Sequence, residues 1–155
     1  MRYTMTEIHN LDFYVLLVFD ERYLFIPQHE VESVEIIADV QRADDKTGAI
    51  GWFYGHKQES PVFCLAEDLS LLSEIPSKRE YFVLLKNDPQ SLGILCDEVE
   101  NINFKQAHLR AQELPLVMKT PNSPLRELLV YQDKMGCLCS GAALVKHLLP
   151  DISSE

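Results

Sequence analysis

The chain has 155 residues, 46% of them hydrophobic, with a net charge of −10 and a pI near 4.9, which suits one domain or two small subdomains with a real core. The acidic balance, with no basic cluster interleaved with aromatics, excludes nucleic acid as a partner. No apolar run approaches the roughly 18–20 residues of a membrane span, and the N-terminal MRYTMTEIHN lacks a signal-peptide core, so a cytoplasmic protein without direct membrane insertion is expected.

In chain order, residues 13–19 form an almost wholly apolar run of strand length. Asp20-Glu21 turns it and residues 23–26 return it, which is a hairpin signal. Pro27 opens a polar segment, 28–33, expected as a helical turn, and residues 34–37 follow as a strand. Residues 41–48 (QRADDKTG) read as a loop, with strands expected at 49–54 and 61–65. Leu65, Leu69 and Leu72 fall on one face of an expected helical stretch over 66–72. Ile75-Pro76-Ser77-Lys78 is the best joint between subdomains.

The pattern then restarts, with strands expected at 81–85, 92–96 and 99–104 and a turn at 87–90. Residues 105–113 are polar, 114–118 are expected as a strand, and 119–124 (KTPNSP) form a loop. Strands at 128–131 and 136–140 lead to a helix over 142–149 that Pro150 ends, and both termini are expected to be flexible. Gly93, inside an apolar strand, is expected to resist substitution more than the other glycines.

The restart is a repeat. Residues 14–34 (YVLLVFDERYLFIPQHEVESV) lie over 82–102 (FVLLKNDPQSLGILCDEVENI) without a gap, at an offset of 68. Val15, Leu16, Leu17, Asp20, Leu24, Ile26, Glu30, Val31 and Glu32 all meet identical residues. A fainter match sets residues 62–65 over 137–140. So long a period does not suit a solenoid and predicts two copies of a small β-rich unit, subdomain 1 at about 12–76 and subdomain 2 at about 79–150. About five short strands per copy indicates two small barrels.

Catalysis finds little support. There is no glycine-rich phosphate loop, HExxH or GxSxG, and the five histidines share no ligand-like spacing. Asp97-Glu98 reads as turn chemistry after a strand, since its counterpart in the first copy is His29-Glu30. Cys64, Cys96, Cys137 and Cys139 form no CxxC pairs and are expected as small buried hydrophobes. No catalytic residue, metal ligand or cofactor site is therefore assigned, and the chain is expected to bind other proteins.

Three stretches carry a likeness to a known family. Residues 14–34, with Pro27, Val31 and Val34, resemble the opening hairpin and P-x-x-x-V-x-x-V segment of the CheW family, the coupling domain of bacterial chemosensory arrays. Ile50-Gly51-Trp52-Phe53 through Pro61-Val62-Phe63-Cys64-Leu65 resembles its central motif, and Leu92-Gly93-Ile94-Leu95-Cys96-Asp97-Glu98-Val99 its later V-G-L-x-V-D-x-V strand. The resemblance covers roughly residues 12–149. It implies a single CheW-like domain over 1–155, mostly β: two five-stranded SH3-like barrels related by duplication, with short helices including a C-terminal one. It also implies a non-enzymatic scaffold, without cofactor, that joins the cytoplasmic tip of a methyl-accepting chemoreceptor to the regulatory domain of a CheA-type histidine kinase.

The implied partner-binding residues are Val31, Val34, Phe53, Tyr54 and His56. Where the family reads Asn-Leu-Arg-Gly, this chain reads Tyr54-Gly55-His56-Lys57, and Cys64 takes the place of the motif's closing Asp. Histidine lacks the permanent charge and planar fork of arginine. Two alternatives stay open: a divergent signalling module with another partner or a small ligand, and a thiol or metal protein built on the four cysteines.

Overall fold

A computed structural model describes residues 13–42, 48–55, 58–66, 69–87, 90–103, 110–118, 123–132 and 134–148. Its strands are β1 (Phe13–Phe19), β2 (Arg22–Pro27), β3 (Val31–Ile36), β4 (Val40–Arg42), β5 (Gly51–Gly55) and β6 (Gln58–Phe63) from the first repeat. From the second come β7 (Tyr81–Leu85), β8 (Leu92–Cys96), β9 (Glu98–Asn103), β10 (Arg110–Glu113), β11 (Leu125–Tyr131) and β12 (Lys134–Cys139), followed by helix α1 (Gly141–Leu148). Short 3-10 turns occupy Gln28–Glu30, Ile37–Asp39 and Leu116–Met118.

The strands form two six-stranded sheets, in the orders β10-β11-β12-β2-β1-β9 and β3-β7-β8-β6-β5-β4. These are the same sheet with the repeats exchanged. In each, an antiparallel pair from one repeat (β1–β2 or β7–β8) is flanked by later strands of the other. The junctions match as well. β12 runs parallel to β2 with Cys137 opposite Leu24, and β6 runs parallel to β8 with Val62 opposite Gly93. The duplication is therefore real in three dimensions.

Contacts divide the chain into residues 1–16, 23–30 and 100–155 as one unit, and residues 17–22 and 31–99 as the other. This division and the chain-order division at about 12–76 and 79–150 differ, because each repeat's leading hairpin pairs within the other repeat's sheet. Each sheet also has six strands rather than the expected five. The ends of the second sheet, β3 and β4, are separated in the chain only by the turn Ile37–Asp39.

The hairpins hold the core. In the second sheet Ile50, Phe53, Val62, Cys64, Phe82, Leu84 and Leu95 form one cluster, with Phe53 edge-on to Phe82 at 5.3 Å. The opposite face of β7 and β8 is equally dry, with Val83, Leu85, Leu92, Ile94 and Cys96 all fully buried. Two buried faces explain why these strands read as unbroken apolar runs instead of alternating. Each buried aliphatic or aromatic side chain contributes roughly 1.5–3 kcal/mol. The β1–β2 turn places Asp20 and Glu21 both at positive φ, 50° and 63°, as a two-residue hairpin with right-handed twist requires.

Helix α1 opens where Ser140 Oγ accepts from Ala143 N at 3.3 Å and Glu30 accepts from Gly141 N. It buries Leu144, Val145 and Leu148.

Several local expectations change. Only Gln28–Glu30 is helical in the polar segment after Pro27, and Val31 already belongs to β3. Of the expected helix over 66–72, residues 67–68 lie outside the described residues, and the rest is not helical: Leu65 bridges Leu71, Leu72 N bonds Cys64 O, and Leu69 is buried at φ 68°. The loop buries Leu65 and Leu69 without helical backbone, so their spacing was a false helix signal. Leu116–Met118 is a 3-10 turn rather than a strand, with Leu116 and Val117 each 85% exposed. Among glycines, Gly51 and Gly136 are tighter than Gly93. A Cβ on Gly51 would stand 2.6 Å from Gln41 O, and on Gly136 2.8 Å from Tyr23 O, whereas on Gly93 it meets only the side chains of Phe82 at 3.0 Å and Val62 at 3.2 Å.

Candidate functional site

β3 pairs antiparallel with β7, with Val34 opposite Val83 and Ile36 opposite Tyr81. A β-bulge lies between Val31 and Ser33, so Val31 stands opposite Leu85 and Ser33 opposite Leu84. Residues three apart on a regular strand face opposite ways. The extra residue of the bulge puts Val31 on the same face as Val34 and Ile36, with Leu85, Val83 and Tyr81 beside them. Glu32, at the bulge, accepts from the hydroxyl of buried Ser91 at 2.9 Å, which fixes the irregularity.

Exposure rises along this face. Val31 is half-buried, Val34 is 46% exposed, Ile36 51% and Tyr81 37%. Of the residues picked from sequence, Val31 and Val34 thus share a face. Tyr54, at 52%, is exposed on β5, near the other end of the sheet's order. Phe53 is 8% exposed and belongs to the apolar cluster. His56 lies outside the described residues. Sequence reading missed Ile36 and Tyr81, each of which looked like one more apolar residue of a half-buried strand.

It also missed Arg79, which is 2% exposed. Its Nη1 donates to Leu65 O at 2.9 Å and to Cys64 Sγ at 3.4 Å, and its Nη2 donates to Asp20 Oδ2 at 2.7 Å. Its Nε stands 3.0 Å from Asp97 Oδ1 as an ion pair, without the alignment of a good hydrogen bond. The guanidinium also lies 5.0 Å over the Phe19 ring. Asp97 in turn accepts from Asp20 N at 3.2 Å and donates its own N–H to Val18 O at 2.7 Å. One cation thereby ties the β1–β2 turn, the end of β8 and the Cys64-Leu65 segment together. Arg79 follows Lys78 in the joint segment, where charge reads as solvated, so nothing in the sequence marked it.

All four cysteines are free and buried. Burial pushes the thiols of Cys96 and Cys139 up to about 12, with Asp97 and Glu30 respectively adding to the shift. Burial also raises Cys64, against the opposing pull of Arg79. Such thiols stay protonated at neutral pH and are poor nucleophiles. Among the described residues no group of His, Cys, Asp and Glu is arranged to hold a metal ion.

A solved structure decides the fold. The chain matches the scaffolding protein TtCheW from Thermoanaerobacter tengcongensis with a TM-score of 0.63, over 83% of this chain and 88% of that one, at 16% identity. The chain has the CheW fold. No protein-family model matches the sequence, and no curated protein matches it. The CheW fold thus emerges from coordinates where sequence identity has nearly vanished, and it agrees with a mostly β chain of two six-stranded sheets and a helix near the C-terminus.

Proposed function

We propose that the protein is a non-enzymatic cytoplasmic scaffold of a chemosensory system, coupling the tip of a methyl-accepting chemoreceptor to the regulatory domain of a CheA-type histidine kinase. The observation that carries this is the CheW fold, shared with TtCheW over 83% of the chain. On this reading the second sheet is a five-stranded SH3-like barrel, β3 and β4 being two halves of one bent strand, since only Ile37–Asp39 separates them. Two further facts are compatible with it. Among the described residues no helix is long and apolar enough to cross a membrane. All four thiols are buried, and Asp97 is paired with Arg79.

Val31, Val34, Tyr54 and His56 are the partner-facing residues in this proposal. Phe53, which the likeness also suggested, is buried in the core cluster and is not among them. The test is capture of a purified kinase regulatory domain and of a receptor-tip fragment. Val34→Asp, at an exposed position, is expected to keep the circular dichroism spectrum and lose about tenfold or more in affinity, as a charge placed in an apolar contact does. Wild-type protein that captures neither partner would defeat the coupling role.

A further inference from the structure

We draw no further inference here: the strongest candidate, the surface patch of Leu116 and Val117 on the 3-10 turn that follows β10, is an unpartnered apolar face, and nothing in the structure shows what covers it.

Discussion

Removing the guanidinium of Arg79 would leave Asp97, 13% exposed in its side chain, without its cation, while Asp20 at 38% could turn to solvent. Breaking a buried pair from one side costs more than the pair itself contributes. Arg79→Met is expected to lose about 3 kcal/mol in urea unfolding, and Asp20→Asn less than about 1 kcal/mol. Cys64 also reaches this cluster, with its sulfur 3.4 Å from Arg79 Nη1. A carboxylate placed there would meet a cation already in position. Cys64→Asp should therefore cost much less in the wild-type background than in Arg79→Met, a coupling of about 1–3 kcal/mol in a double-mutant cycle. The raised thiols give a separate check. With Cys96 and Cys139 near 12 and all four thiols buried, an aromatic disulfide reagent at pH 8 should label native protein only as fast as it unfolds. Rapid labelling of the native state would revive the thiol alternative. At this scale the sequence was least informative. Val31 and Val34 could be picked by motif likeness, but burial of Phe53, exposure of Ile36 and the desolvated Arg79 depend on partners distant in the chain.

At the scale of elements, close backbone approach decides which glycines are irreplaceable. A methyl on Gly51 collides with the carbonyl of Gln41 across the β4–β5 ladder, which cannot move without breaking the pairing. A methyl on Gly93 presses on the Phe82 ring and a Val62 methyl, which can shift by tenths of an ångström. Gly51→Ala is expected near the upper end of the overpacking range, about 3 kcal/mol, and Gly93→Ala near about 1 kcal/mol, both measured by urea midpoint. The reverse order would mean that strand interior, not backbone contact, governs these sites. The long apolar strands and their hairpins were readable because apolar runs and turn chemistry are local signals. Two elements were not. Val31 to Ser33 looked polar because Glu32 and Ser33 are polar, and its strand character comes from pairing with Leu84 and Leu85 far along the chain. The 66–72 segment carries helical spacing, yet Cys64 and Leu65 bond back to Leu72 and Leu71, so a tertiary constraint overrode propensity.

For the whole molecule, the internal repeat told correctly that two copies of one unit exist, because identical residues at a fixed offset report equivalence. It did not tell which copy's strands pair, since equivalent hairpins carry equivalent edges and either could pair within either sheet. The structure resolves this by exchange: β2 lies against β12, and β8 against β6. Cooperative opening should follow these contacts and not chain order. Gly136 supplies the lever, because a Cβ there would stand 2.8 Å from Tyr23 O and 2.6 Å from the Phe25 ring. In native-state hydrogen exchange, Gly136→Ala is expected to speed the amides of residues 23–27 together with those of β11 and β12. The amides of β5 and β6 should keep their wild-type rates, since their sheet contains neither β2 nor β12. If residues 23–27 instead exchange in step with β5 and β6, the first repeat opens as one piece. The hairpin exchange would then be absent from the protein in solution.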